Sequence, residues 1–469
     1  MQATRPDAER PVRRVRTGSS ALGAPLRAHL PQGAREASVA AAVGLGAAIV
    51  VALWWHDTPA GSLGHWAERV TAAGRVTGLV GGYLIVVEVV LLARVTWLDR
   101  LIGMDRLAVW HRRNGEYSVG LLVAHATFII WGYALADHVG PLSETRSVVL
   151  SYPDVLAATV GLFVLVGVGA VSARAAQRRL SYETWYFLHL YTYLAIALSF
   201  AHVLATGDDF ATHPLNRAFW VALYAGATAL VLAYRVGVPV RDALRHRLRV
   251  AVVRPEAPGV VSVYVTGRRL SELRAEAGQF FIWRFLTRNG WWQAHPWSLS
   301  SAPNSQWLRL TVKGLGDHSC ELAALRPGTR VITEGPFGAF TGSRRSRRRV
   351  LLVAGGIGVT PLRALIESLP AGPGDLTLLY RASSPQDIVF GHELDAIAQA
   401  RGATVEYLLG PRDQYPSPLA PERLHWLVPD AADRDVYLCG PPGMTAATRK
   451  ALRAIGVPSR RIHVEGFEY

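Results

Sequence analysis

The stretch HLYTYLAIALSFAH, residues 189–202, is an uncharged run with a histidine at each end. An imidazole facing hydrocarbon is costly, so two of them in one membrane-crossing helix need a job there. The run is one of six. Apolar segments at about 38–55, 76–93, 117–136, 154–171, 185–204 and 218–236 each approach the roughly 20 residues that a bilayer core demands.

The loops between these segments alternate in charge. The stretch before the first span, the 94–116 and 172–184 loops and the 235–249 segment carry 7, 5, 3 and 5 Lys and Arg, against one in each of 56–73, 137–152 and 205–217. By the positive-inside rule the N-terminus, both basic loops and everything after residue 237 are cytoplasmic, in a multi-pass protein of the cell membrane. Buried helices of a large soluble protein would not need six uncharged runs with alternating loop charge. Glu88, in LIVVEVVLL, breaks the pattern. Pairing with a neighbouring helix is the simpler reading and proton movement the other, and no role is assigned to it.

The formal charge of +15 flanks the spans, which points to a lipid surface and not to nucleic acid. Residues 1–36 hold seven arginines and no apolar core followed by a cleavage site, so they read as a mobile basic tail, not a secretory signal. Cys320 and Cys439 are too few and too far apart for a structural zinc site or disulfide framework, and they exclude a four-cysteine iron–sulfur cluster within this chain.

The third span has its own histidine pair, His111 and His125, and runs in the same direction as the fifth, which holds His189 and His202. Separations of 14 and 13 residues correspond to roughly 20 Å along each axis. Facing pairs at two depths are what two stacked six-coordinate b-type haems require, since imidazole is a good axial ligand for haem iron. Four unrelated histidines hydrogen-bonded between helices are outweighed by this match in number and depth. The helical phase is less regular. Fourteen residues return to within roughly 40° of the starting face, whereas thirteen end about 140° away, so the fifth span is expected to contain a π-bulge or bend, or to be irregular at His189. His56, His65, His138 and His213 fall in outer loops, with solvated and acceptor-side roles both open.

Beyond residue 249 the pattern becomes alternating strands, with Gly and Pro punctuation suggesting an antiparallel barrel to about residue 343. VLLVAGGIGVTPLRALIESL then reads as strand, glycine turn and helix, opening an α/β nucleotide-binding domain. The expected fold is therefore a multidomain membrane protein: a tail over 1–36, a six-helix transmembrane bundle over 37–237, an antiparallel β-barrel over 238–347 and a Rossmann-like α/β domain over 348–469. Three motifs carry chemistry in the soluble half. In GGIGVTP, residues 355–361, the glycines let backbone N–H groups approach a pyrophosphate at a helix N-terminus, though many strand–helix turns contain glycine. HPWSLSS, residues 295–301, offers an imidazole, a proline-set turn, an aromatic and three hydroxyls, a set able to hold a flavin or simply to form a barrel turn. KGLGDHS, from Lys313 to Ser319, places Gly316 and Ser319 to donate hydrogen bonds to a second phosphate region.

Taken in order, these pieces resemble the NADPH oxidase and ferric reductase superfamily, in its bacterial form, along nearly the whole chain beyond the tail. The resemblance implies a six-helix haem domain fused to a ferredoxin-reductase-type FAD and NAD(P) module. The family's inner haem ligands match His111 and His189 and its outer ligands His125 and His202, with the same spacings. Its flavin motif, usually His-Pro-Phe-Ser/Thr, matches His295, Pro296, Trp297 and Ser298, with tryptophan for phenylalanine. Its phosphate loop matches Gly316 and Ser319. Its nicotinamide-pyrophosphate loop matches Gly355, Gly356, Gly358, Val359, Thr360 and Pro361. Its Cys-Gly-Pro motif, near the nicotinamide, matches Cys439, Gly440, Pro441 and Met444. The closing VEGFEY resembles the family's flavin-stacking aromatic, with Phe467 and Tyr469 both candidates.

The activity so implied is electron transfer across the membrane. Electrons pass from cytoplasmic NAD(P)H through FAD and two b-type haems to an outer acceptor, which in oxidases of this kind is oxygen. A ferric-chelate, quinone or periplasmic-protein reductase would use the same path. Some animal oxidases carry a further histidine one turn beyond the outer ligand, where this chain has Ile129. YRASSPQD, residues 380–387, offers Arg381, Ser383 and Ser384 to the 2′-phosphate of NADPH, with no acidic residue directly after the strand for a free ribose hydroxyl.

Overall fold

The computed structural model describes residues 32–59, 61–173, 180, 182–206, 213–288, 290–411 and 417–466. Residues 1–31 of the expected tail, and both Phe467 and Tyr469, lie outside the described residues. Among those described, six helices are long and apolar enough to cross a membrane.

The helices are α1 (Gln32–Asp57), α2 (Trp66–Leu91), the short α3 (Thr96–Ile102), α4 (Met104–Ala136), α5 (Pro141–Ser151), α6 (Val155–Ser172), α7 (Tyr182–Thr206) and α8 (Pro214–Leu232). A π-helical turn, Ala233–Gly237, joins α8 to α9 (Val238–His246). Helix α1 thus begins inside the stretch expected as tail, and the domain boundary expected at 237 falls within a helix that continues to His246. Helix α5, in an outer connection read only as a loop, starts with Pro141 at its first turn, where the missing N–H costs nothing.

The bundle is assembled through small residues. Helix α2 lies along α4 and α6 along α7, whereas the backbones of α4 and α7 stand apart. A Cβ on Gly74 would fall 2.9 Å from Ile129 Cδ1, and one on Gly161 would fall 2.9 Å from the Ala195 carbonyl oxygen. Such close backbone approach replaces the hydrophobic drive that helices lack in lipid. Apolar side chains on the other faces remain outward, Phe163 and Leu142 among them.

The expected irregularity of the fifth span is not there. Helix α7 is α-helical from Tyr182 to Thr206, and the π-turn sits in the sixth span instead. The phase mismatch is absorbed by the side-chain arms, which let the rings converge from different azimuths.

The soluble half begins with β1 (Arg249–Ala257), β2 (Val260–Thr266), β3 (Phe280–Phe285), β4 (His295–Ser298), β5 (Trp307–Lys313) and β6 (Val331–Phe337). They form two three-stranded antiparallel sheets, β1-β2-β5 and β4-β3-β6. Single bridges Arg249–Arg330 and Leu299–Leu310 close them into the expected barrel. Trp283, Phe281, Leu299 and Leu310 fill it.

A five-stranded parallel sheet follows, ordered β11-β10-β7-β8-β9. Its strands are β7 (Val350–Gly355), β8 (Leu376–Ala382), β9 (Thr404–Leu409), β10 (Asp435–Cys439) and β11 (Ile462–Glu465). Central strand β7 is buried at every position, as a strand covered on both faces must be. The main helices here, after the one-turn α10 (Asp317–Glu321), are α11 (Val359–Ser368), α12 (Gly391–Arg401), α13 (Pro421–Leu427) and α14 (Pro442–Ala454).

The two halves are joined at α3. The buried Asp99 accepts a hydrogen bond from the Gly338 N–H at 2.8 Å. Arg94 pairs with Glu334 on β6, and Arg344 Nη2 donates to the Arg100 carbonyl at 3.1 Å.

Candidate functional site

The four membrane histidines meet in two pairs, one per level. The His111 and His189 rings have centroids 5.9 Å apart at 65°, and the His125 and His202 rings 6.5 Å apart at 53°. Two metal–nitrogen bonds of about 2 Å, each followed by about 1 Å to a ring centre, would separate centroids by about 6 Å. Both pairs therefore fit one ion held axially between them. Among the described residues no group of three or more His, Cys, Asp or Glu could hold a bare metal ion. Pairs of imidazoles suit iron whose other four positions are filled by a porphyrin.

The rings are held from behind. His125 Nδ1 donates to the Gly74 carbonyl at 2.8 Å, His111 Nδ1 lies 2.8 Å from Glu88 Oε1, and His189 Nδ1 is 3.2 Å from Ser172 Oγ. Ser172 also accepts from Trp185 Nε1 at 3.2 Å, and Trp185 stacks on His189 with centroids 5.1 Å apart. Fixing Nδ1 leaves Nε2 as the ligating atom, the usual arrangement around metal-bound histidine. Gly78 makes room for His125, since a Cβ there would fall 2.4 Å from its Nδ1.

The expected pairing of Glu88 with a neighbouring helix is there, whereas Gly74 and Ser172 were not foreseen, because each lies on a different helix from its histidine. One signal was present: Gly74, Gly78, Gly81 and Gly82 form the small-residue face of α2. The outer-loop histidines have local employment. His65 begins α2 with its N–H on Glu68, and His56 and His213 both approach Asp57.

In the barrel, β4 pairs with β3 so that His295 faces Trp283, Pro296 faces Ile282, Trp297 faces Phe281 and Ser298 faces Phe280. The His295 and Trp297 rings stack with centroids 5.3 Å apart at 28°, and the Trp297 carbonyl accepts from Trp283 Nε1 at 2.9 Å. Trp297 thus packs against the barrel core. Lys313, half-buried, ends β5 opposite Val260. Ser319 is turned inward: its Oγ accepts from the Leu315 and Gly316 N–H groups and donates to the Gly316 carbonyl. The loop's own closure uses the groups that sequence offered to a phosphate.

At the carboxyl ends of β7 and β10 the GGIGVTP and CGPPGM loops touch. A Cβ on Gly355 would meet Met444 Sδ at 2.5 Å, one on Gly440 would meet Gly355 Cα at 3.0 Å, and one on Gly358 would meet the Cys439 carbonyl at 2.4 Å. These glycines let the two loops pack on each other. Gly356, with φ +52°, and Gly443 have nothing within 4 Å of an added Cβ. Val359, Thr360 and Pro361 are buried at the start of α11, with Thr360 Oγ1 donating to the Ile357 carbonyl. Cys439 is buried, and Pro441 lies against Gly355.

Arg381 ends β8 beside Gly355, but its guanidinium donates to the carbonyls of Ala382, Leu408 and Pro411. Burial lowers its pKa. Ser383 is exposed, and Ser384 donates to Asp387 at 2.8 Å.

Comparison with known proteins divides the chain in the same places. Residues 77–200 match the family described as ferric reductase like transmembrane component, 248–341 an FAD-binding domain and 352–450 an oxidoreductase NAD-binding domain. The chain belongs to the NADPH oxidase and ferric reductase superfamily. Its soluble half is that of the ferredoxin reductases. Ferredoxin–NADP reductase B of Sorangium cellulosum is 32% identical over 244 residues, 47% of this chain and 96% of that protein. The ferredoxin reductase component of 3-ketosteroid-9-alpha-monooxygenase from Mycobacterium tuberculosis is 33% identical over 42% of this chain. The chain spans 56% of that relative's length. Among solved structures, the FAD/NAD-binding domain of nitric oxide dioxygenase from Vibrio cholerae is 26% identical, covering 48% of this chain and 99% of that one with a TM-score of 0.39. The superfamily oxidoreductase is thus a membrane flavoprotein with a nicotinamide domain.

Proposed function

We propose that this superfamily member carries electrons across the cell membrane, from cytoplasmic NAD(P)H through FAD and two b-type haems to an acceptor on the outer face. The observation that carries the reading is the pairing of His111 with His189 and of His125 with His202 at 5.9 and 6.5 Å. When bound, nicotinamide supplies a hydride, flavin divides its two electrons and haem iron takes them singly.

The chain's own residues do the holding. His111 and His189 would clamp the inner haem, and His125 and His202 the outer. Two imidazoles on each iron would leave no coordination position for substrate, so an acceptor would have to react at the haem edge. His295, Pro296, Trp297 and Ser298 would line the flavin, with Lys313, Gly316 and Ser319 towards its phosphates. Gly355, Gly356, Gly358 and the start of α11 would receive the nicotinamide pyrophosphate, with Cys439, Gly440, Pro441 and Met444 beside the ring. Phe467 or Tyr469 would cover the flavin until nicotinamide arrives. The alternating Lys and Arg counts support a cytoplasmic side for all of this.

Oxygen, reduced to superoxide, is the acceptor the superfamily suggests. Ile129 favours a second reading. One turn beyond His125 it packs against Gly74, and its side chain has no hydrogen-bond donor to offer oxygen. That supports a ferric chelate, quinone or periplasmic protein as acceptor. Anaerobic reduction of the purified protein by NADPH, followed at the haem bands, tests the path, and re-oxidation by each acceptor in turn tests its end. Reduction of flavin without haem would refute the proposal.

A further inference from the structure

Glu88 lies mid-helix on α2 between valines, where a carboxylate is expensive and so marks function or a specific partner. Its Oε1 accepts from His111 Nδ1 at 2.8 Å. Its Oε2 accepts from Asn114 Nδ2 at 2.6 Å, and the same amide reaches the Leu84 carbonyl at 2.9 Å. Gly115 leaves space for the carboxylate, since a Cβ there would fall 2.9 Å from Oε1. Two donors and the space at Gly115, all on α4, thus hold this group behind one ring.

The rings of His125 and His189 are backed differently. His125 is backed by the Gly74 carbonyl and His189 by the Ser172 hydroxyl, both neutral. Only His111, at the inner level, has a charged acceptor among these three. A carboxylate on the far nitrogen makes imidazole a stronger electron donor and tunes the metal it ligates. The added negative charge favours ferric over ferrous iron.

Resting on the proposed haem ligation, we infer that Glu88 is a positioning residue that lowers the reduction potential of the inner haem below that of the outer. The difference makes electron flow from inside to outside downhill. The transfer it biases moves one electron: the inner iron goes from ferrous to ferric, the outer from ferric to ferrous. No bond is made or broken and no proton moves. A purely structural pair would be served as well by a neutral amide, and that distinction is what can be measured.

The test is potentiometric titration of the purified holoprotein, wild type beside Glu88→Gln. The lower of two haem midpoints should rise by at least tenfold in its equilibrium constant, about 59 mV for one electron, while the higher stays in place. The same shift should appear in a His125→Ala/His202→Ala background, which retains only the inner pair. Both haems bound with an unmoved lower midpoint would overturn the inference and leave the function intact. Should Glu88→Gln lose its haem, Asn114→Ala keeps the charge and removes its competing donor, so the lower midpoint should fall further. A rise or no change there would overturn it equally. A wild-type protein without two haems would instead remove the functional reading on which this rests.

Discussion

Trp292, in the loop between β3 and β4, meets Phe187 on α7 with ring centroids 6.5 Å apart. Phe187 stands two residues before His189 on α7, and Trp292 three before His295, so one aromatic contact links the two candidate cofactor sites. The barrel is thereby seated against the end of the bundle that holds His189. Trp292→Ala should slow NAD(P)H-driven haem reduction about tenfold, the scale of loss when a reacting pair is misplaced. Reduction of a soluble dye by NAD(P)H should hardly change. Stopped-flow comparison of the two reactions checks this, and an equal loss in both would refute it.

A buried charge network locks barrel and nucleotide domain together. Arg309 on β5 donates to Glu393 on α12 at 3.0 Å, with its side chain only 3% exposed. Glu393 also pairs with Arg363, and Arg363 with Glu367, which accepts from the Ala302 N–H at 2.7 Å. Burial works against the charge on Arg309, but Glu393 and the Tyr264 hydroxyl outweigh it and raise its pKa. Glu393→Ala would leave the buried Arg309 without its carboxylate, and Arg363 with Glu367 alone, and should destabilise the soluble half by about 3 kcal/mol. Denaturant melts of the full chain, read from flavin fluorescence, measure this.

Gly78 sets how closely α2 approaches the outer pair. Gly78→Val would push into the His125 ring and should remove the outer haem while leaving the inner. Pyridine haemochrome assay should fall from about two haems per chain to about one. Loss of both, or of neither, would contradict the arrangement.

Asp435 gives a pH dependence with a definite sign. Its burial would raise its pKa, but the ion pair with His463 and the N–H groups of Ser346 and Arg347 bring it below the ordinary 3.8. A depressed carboxylate contributes stability that is complete above the unfolded value and lost as pH falls through the folded one. Melting temperature should therefore drop below about pH 4, and Asp435→Asn should flatten that drop. An unchanged slope would show that the carboxylate is not linked to folding.

Arg381 makes a prediction about nicotinamide choice. Its guanidinium is engaged by three backbone carbonyls, so Arg381→Ala should lower kcat/KM for NADPH and NADH alike. A selective loss for NADPH of about tenfold would mean that it leaves those carbonyls for the 2′-phosphate.

Much of this architecture is legible in one dimension. The six apolar runs, their loop charge and the four histidines need only length and residue type, and both rings of each pair do meet. The partners behind the rings are another matter, because Gly74, Glu88 and Ser172 lie on helices adjacent only after folding. Counting residues around α7 misled for a related reason: an imidazole reaches out from its helix, so azimuth along the backbone does not decide where a ring arrives. In the soluble half the motifs were recognisable, yet the inward turn of Ser319 and the mutual packing of Gly355, Gly358 and Gly440 depend on neighbours that a motif does not name. Arg309 finds Glu393 84 residues away, beyond any local pattern.

The most direct measurement is the haem content and low-spin spectrum of the purified chain with each histidine pair removed in turn. Two haems per chain should be found, with His111→Ala/His189→Ala and His125→Ala/His202→Ala each losing one and the quadruple variant losing both. A full complement of haem in the quadruple variant, or none in the wild type, would contradict the account.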